Sequence, residues 1–205
     1  PLHIQGLYSA LLKDGRADGR GGLSIHVHRV LHAALKQAVR WQMLARNPSE
    51  AVEPPRSHRR EMTALDEERT VQLLNAAKRS RLHRPIFFAV TTGLRRGEML
   101  ALRWGAVHLD SGVLSVVETL EETRSGLRFK QPKTVRSRRA VDLPRILVDE
   151  LRAHRAEQAQ YRLKLGPIYQ DNDLVFPESD GQPWSPDKFS SAFAALARRT
   201  GFKGV

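Results

Sequence analysis

Two prolines followed by a polar, basic run, "EPPRSHRRE" at residues 53–61, interrupt this chain more firmly than any other segment. A proline pair removes two backbone donors and fixes two φ angles, and the run beyond it has no apolar side chain to bury. The segments on either side must therefore fold as separate bodies. The expected organisation is a helical piece over residues 1–53, a connector over 54–64 and a larger domain over 65–205. A length of 205 residues accommodates one large domain with a smaller companion.

In the first piece, Ile4, Leu7, Tyr8, Leu11 and Leu12 recur at helical spacing until Gly15. Ser24 then suits an N-cap, and Val27, Val30, Leu31, Leu35, Ala38 and Val39 form the apolar stripe of a longer helix expected to run to Asn47-Pro48. Two helices bury little by themselves, so a further N-terminal partner is expected. In the second piece, Asp66, Glu67 and Glu68 suit the positive end of a helix. "RPIFFAVTTG" reads as a central, strongly apolar helix. A period of two then appears in "GVLSVVETL", read as a strand covered on both faces, in "LRFK" (127–130) and in "RRAVDL" (138–143). Helical spacing returns at Leu147–Leu165 and after Ser185-Pro186. The fold class expected is mainly α with a small antiparallel three-stranded sheet, without internal repeats.

Composition narrows the functions open to such a fold. There is no cysteine, so disulfides and thiolate metal sites are excluded. No apolar run reaches membrane-spanning length and no basic-then-apolar leader opens the chain, so a cytoplasmic protein with no membrane partner is expected. The formal net charge is +12, with 34 basic residues against 22 acidic ones. A surface this basic attracts polyanions, above all nucleic acid. Residues 124–139 concentrate Arg124, Arg128, Lys130, Lys133, Arg136, Arg138 and Arg139 with no acidic residue among them. On strands, alternate members of such a run share a face and can follow one phosphate backbone.

No Gly-x-Ser-x-Gly, His-Glu-x-x-His or phosphate-binding glycine loop is present, and the eight histidines are scattered, so no metal site is expected. The segment with the most distinctive chemistry is "TTGLRRGEMLALRW", residues 91–104. Gly93 permits a sharp turn, Arg95 and Glu98 are three apart at a helix start, and Met99 and Leu102 anchor that helix. A guanidinium there can bond two phosphate oxygens at once, with free helical N–H groups adding to the attraction. On the residues alone, an arginine paired with Glu98 or simply solvated accounts for the same pattern.

The segment resembles the first conserved box of the tyrosine recombinases, the phage-integrase family, whose Thr-Gly-x-Arg-x-x-Glu pattern is met by Thr92, Gly93, Arg95 and Glu98. The resemblance continues in order: Lys133 of "KQPKTVRSRRAVDLP" stands in the turn that carries the family's lysine, and "ARNPSEAVEPP" is similar to the end of its helical DNA-clamping domain. One departure is local, since Ala106 and His108 stand where an aspartate commonly follows "LRW".

By this resemblance Arg95, rather than Arg96, is a catalytic arginine, Lys133 is the general acid and Glu98 supports the site. The basic residues Arg128, Lys130, Arg136, Arg138 and Arg139 would contact DNA. The family's reaction joins a tyrosine to a DNA 3′-phosphate and frees a 5′-hydroxyl, then reverses with a second strand. Arginines stabilise the transition state, and neither metal nor nucleotide cofactor is implied. The resemblance also implies double-stranded DNA and further recombinase protomers as partners, a place at the nucleoid, and a source in a phage or other mobile element. Its His-x-x-Arg box and nucleophilic tyrosine are not found here: Tyr8, Tyr161 and Tyr169 lie in other contexts. The chain is therefore expected to be a fragment that binds DNA without cleaving it. The alternative is a basic DNA-binding protein with no strand-transfer chemistry.

Overall fold

The computed structural model describes residues 1–13, 22–54, 64–131 and 138–202. These form two compact units, Pro1–Met62 and Thr63–Val205, and the division falls inside the proline-rich connector.

The first unit holds α1 (Leu2–Lys13) and α2 (Gly22–Arg40), followed by a 3-10 turn over Pro48–Ala51. The expected stop at Gly15 lies outside the described residues. Helix α2 begins before the expected cap Ser24, which lies inside it, and ends before the expected Asn47-Pro48, just past the last residue of its apolar stripe, Val39. Gln42 takes a positive φ of 58° and Met43 N–H bonds Ala38 O, so the chain turns off at Trp41. Asn47 is used otherwise: its carboxamide oxygen accepts from Ser49 N–H at 3.0 Å and Ser49 Oγ at 2.7 Å, capping the 3-10 turn. A line of polar contacts threads this unit. Tyr8 Oη meets His28 Nδ1 at 2.9 Å, and His32 Nδ1 meets Ser49 Oγ at 3.0 Å.

The second unit contains α3 (Glu67–Ala77), α4 (His83–Thr92), α5 (Arg96–Leu100), α6 (Arg145–Leu165) and α7 (Pro186–Arg199). Asp66 caps α3 by accepting from Arg69 N–H, and Ser185 caps α7 by accepting from Lys188 N–H. The strands are β1 (Val107–His108), β2 (Val113–Val116), β3 (Thr119–Thr123), β4 (Gly126–Lys130) and β5 (Arg139–Asp142). A three-stranded antiparallel sheet has the order β1-β2-β5, and β3 pairs with β4 in a separate hairpin.

The small antiparallel sheet is therefore present, with a membership the periodicity did not resolve. The apolar run 112–120 is two strands, not one, broken at Val117-Glu118. Its first half pairs with β5, Leu114 opposite Val141, and its second half pairs with β4, Leu120 opposite Phe129. Nor is β2 covered on both faces: Leu114 and Val116 are buried while Val113 and Ser115 are half-buried.

The core brings α4, α6, α7 and the strands together. Phe88 is fully buried and meets Phe176 edge-on with ring centroids 5.1 Å apart. Leu147 and Leu151 of α6 are buried with it. Each such side chain contributes roughly 1.5–3 kcal/mol by leaving water. The turn after "LRW" is made without a local aspartate: Asp173 Oδ2 accepts from Gly105 N–H at 3.0 Å, and its backbone carbonyl accepts from Trp104 N–H at 2.8 Å. Among the described residues, no helix is long and apolar enough to cross a membrane.

Candidate active site

Helix α4 delivers the site. The hydroxyls of Thr91 and Thr92 bond back to Phe87 O and Phe88 O at 2.8 and 2.7 Å, satisfying carbonyls in its last turns. Gly93 then adopts the left-handed conformation, φ 64°, and its N–H closes on Ala89 O. Few residues other than glycine take that φ without strain, so this position ends the helix sharply. Leu94 is buried and Arg95 is extended, with φ −64° and ψ 147°, as the residue that opens α5.

Helix α5 has only five residues, Arg96–Leu100. It is too short for helical N–H groups to add much to an anion's attraction, so the site's charge comes from side chains. Its position is set by packing, since Met99 and Leu100 are buried on one side. On the other, a Cβ placed on Gly97 would lie 2.6 Å from Thr119 Oγ1 and 2.7 Å from Leu120 O. Only glycine lets α5 approach β3 so closely.

Around this turn three side chains converge. Glu98, 8% exposed, accepts four hydrogen bonds. Its Oε2 takes Arg95 N–H at 3.0 Å and Arg139 Nη2 at 2.7 Å. Its Oε1 takes Arg95 Nη1 at 3.0 Å and Arg139 Nη1 at 3.1 Å. Arg139 grips the carboxylate with both arms of its fork and raises its own basicity in doing so. Hydrogen bonds from Arg139, then from Arg95, overcome the cost of burial and hold the Glu98 carboxyl down at about 2. Glu98 is thus ionised at any working pH. The Arg95 side chain is 78% exposed, and its hydrogen bonds among the described residues go to Glu98 alone. Its Nε and Nη2 remain available to an acceptor from outside.

The neighbouring arginine serves another purpose. Arg96 reaches α7, donating to Pro186 O at 3.0 Å and to Ser190 Oγ, with Asp187 3.8 Å away. It ties α5 to the first turn of α7.

The basic run 124–139 divides. Arg128 and Lys130 share one face of β4, but β3 brings Glu121 opposite Arg128 and within 3.3 Å of Lys130 Nζ. An acid from the partner strand thus tempers a face that is purely basic in sequence. Arg138 is exposed and donates to Gln131 Oε1 at 2.9 Å. Arg139 faces inward to Glu98. That inward direction was readable: Arg139, Val141 and Leu143 share one parity of the strand, the apolar one. Lys133 and Arg136 lie outside the described residues.

The two tyrosines of the second unit are placed elsewhere than the Arg95 turn. Tyr161 is on α6, Tyr169 Oη accepts from Gln158 Nε2 at 3.2 Å, and Tyr8 belongs to the first unit. A groove of about 870 Å³ in the second unit is lined by Arg84, His154, Glu157, Tyr169 and Trp184, and by none of Arg95, Glu98 and Arg139. Burial lowers the basicity of His154 there, and its Nε2 donates to Val175 O at 2.6 Å, a satisfied core histidine. Among the described residues, no group of three His, Asp or Glu side chains is placed to hold a metal.

Residues 63–204 match the model of the phage integrase family, and the chain belongs to that family. It is 32% identical over 173 residues to an integrase of Streptomyces ambofaciens, covering 82% of this chain and 44% of that protein. It is 27% identical over 219 residues to a tyrosine recombinase XerC-like protein of Caldanaerobacter subterraneus, covering 98% of this chain and 55% of that protein. The chain thus spans about half the length of these relatives. In fold it is similar to the Tn1549 transposon integrase in complex with transposon right end DNA, with a TM-score of 0.80 at 14% identity over 96% of this chain and 62% of that one. It is also similar to a lambda integrase tetramer bound to a Holliday junction, with a TM-score of 0.62 at 18% identity over 97% of this chain and 52% of that one.

Proposed function

We propose that the second unit carries the first part of an active site that breaks and rejoins DNA strands through a 3′-phosphotyrosyl link, with Arg95 holding the scissile phosphate. The observation that supports this most directly is Arg95 itself, a solvent-facing guanidinium on a backbone clamped between a left-handed glycine and a buried carboxylate. As a tyrosine attacks the phosphodiester, charge builds on the non-bridging oxygens, and a fixed arginine stabilises that charge without a metal. Lys133 is assigned the proton transfer to the leaving 5′-oxygen. The bond energy is kept in the covalent link, so no nucleotide cofactor enters.

Arg128, Arg138 and Arg136, the last outside the described residues, are assigned to the DNA backbone. Lys130 shares its charge with Glu121, and Arg139 acts through Glu98. Further protomers on the same DNA would complete the assembly.

Neither tyrosine of the second unit, Tyr161 or Tyr169, is among the residues gathered at Arg95, and no tyrosine stands in the family's nucleophile context, so these 205 residues by themselves are assigned DNA binding without cleavage. The expected outcome is binding to duplex DNA of any sequence that weakens steeply with added salt, as phosphate contacts dictate. No covalent adduct is expected on nicked suicide substrates. A denaturation-stable adduct formed by the chain alone would overturn the division of labour. If the chain joined to the His-x-x-Arg and tyrosine segments of a relative formed no adduct either, a purely DNA-binding role would stand instead.

A further inference from the structure

We propose that Arg139 is a positioning residue whose task is to occupy the charge of Glu98, so that Arg95 meets an incoming phosphate as an uncompensated cation. This rests on the strand-transfer reading above.

The need arises from Glu98. A carboxylate 3.0 Å from the Arg95 guanidinium fixes its direction, but it also lends the site a negative charge. An arginine and a glutamate alone are a neutral dipole, and a phosphate gaining charge would meet repulsion from the glutamate beside the attraction it came for. The structure supplies a second cation. Arg139 places Nη1 and Nη2 on the two oxygens of Glu98 at 3.1 and 2.7 Å, the planar bidentate arrangement that carboxylates favour. Arg95 contributes one side-chain donor to the same carboxylate. The group of three then carries one net positive charge. Its most exposed member is Arg95, at 78%, against 34% for Arg139 and 8% for Glu98. The excess charge is displayed where a ligand can reach it.

The placement in the fold fits a dedicated support rather than a surface contact. Arg139 opens β5 opposite the buried Val116 and shares the inward face with Val141, which lies opposite the fully buried Leu114. An arginine at such a position is costly unless paired, and Glu98 is the pair. A lysine would supply the charge but no fork to hold both oxygens.

The charge balance can be tested separately from the geometry. The probe is inorganic phosphate, titrated into the 205-residue chain while the Arg95 Nε–H signal is followed by NMR. Wild type should respond. Arg139→Met should weaken the response about three- to fivefold, the scale of one exposed charge interaction. Arg139→Met combined with Glu98→Gln restores the net charge without restoring the support, and should recover most of the response. Arg139→Lys keeps one net positive charge but loses the fork, and should fall between wild type and Arg139→Met; adding Glu98→Gln raises the group to two positive charges and should bring the response to the wild-type level or above. That second pair carries the test should Arg139→Met not fold.

A purely structural role for Arg139 makes the opposite forecast, because Glu98→Gln removes a further ion-pair partner and would leave the double variants worse. An unchanged response in Arg139→Met, or no recovery in the double variants, overturns the positioning role while the strand-transfer reading stands. A wild-type Arg95 that ignores phosphate and duplex DNA alike overturns both.

Discussion

Among the described residues of the second unit, two arginine–glutamate pairs share the same two-pronged geometry in very different surroundings. Arg84 bonds both oxygens of Glu157 at 2.7 Å, on a surface where Glu157 is 60% exposed. Arg139 bonds both oxygens of Glu98 at slightly longer distances on one arm, but that glutamate is buried and shared with Arg95. Each arginine holds its partner carboxyl below the usual carboxylate range, yet only Glu98 is driven as far as about 2. Bond length alone therefore says little about what a pair is for. Burial converts an ordinary ion pair into a fixed part of the fold, and a third partner converts it into a displayed charge.

The contrast breaks most sharply on removal of the acids. Glu98→Ala leaves Arg139 without its partner on the inward side of β5 and should destabilise the second unit by about 3 kcal/mol. Equilibrium urea unfolding measures this, and a loss comparable to that of Glu157→Ala would dissolve the distinction. Acid should expose the same difference. Glu98 is held well below the ordinary carboxylate range when folded, so the unfolded chain binds the extra proton first. Its share of stability is complete above about pH 4.5 and is lost as the pH falls toward 2, on the order of 3 kcal/mol in all. In Glu98→Gln that portion of the acid transition should vanish, and a profile parallel to wild type between pH 4.5 and 2 would rule the assignment out.

A smaller effect separates the adjacent arginines. Arg96→Ala gives up hydrogen bonds to α7 and should cost roughly 1 kcal/mol with little change in the phosphate response of Arg95. Arg95→Ala should do the reverse, losing phosphate binding as measured by titration calorimetry, with stability within roughly 0.5 kcal/mol of wild type. The least effect belongs to Glu157→Gln, roughly 0.5 kcal/mol by thermal unfolding, because the pair it breaks is solvated.

The site was legible in the sequence to the extent that its parts are local. Gly93, Arg95 and Glu98 lie within six positions, so turn chemistry and helical spacing place them together. Arg139 lies 41 positions from Glu98, and its role depends on which strand β5 pairs with. That pairing could not be read, because the break at Val117-Glu118 carries no glycine or proline, and a lone Glu118 also suits the polar face of one continuous strand. The charge of Arg128 and Lys130 was misleading for a related reason: Glu121, which tempers it, comes from across the hairpin. The helix boundaries marked by caps, Asp66 and Ser185, were more secure than the end of α2, where Gln42 turns the chain with no glycine to mark it.

The tight seat of Gly97 on β3 has an entropic consequence. Confining one residue's backbone costs about 1–2 kcal/mol in lost freedom. At Arg95 that loss is incurred when the domain folds, because Gly93 and Gly97 fix the chain on either side and Glu98 holds the intervening N–H. With the guanidinium directed by Glu98 as well, little of the residue remains to be ordered when a phosphate arrives. A side chain at position 97 would push α5 off Thr119 and Leu120, and part of the ordering would then have to be met at every binding event, with every charge in the site unchanged.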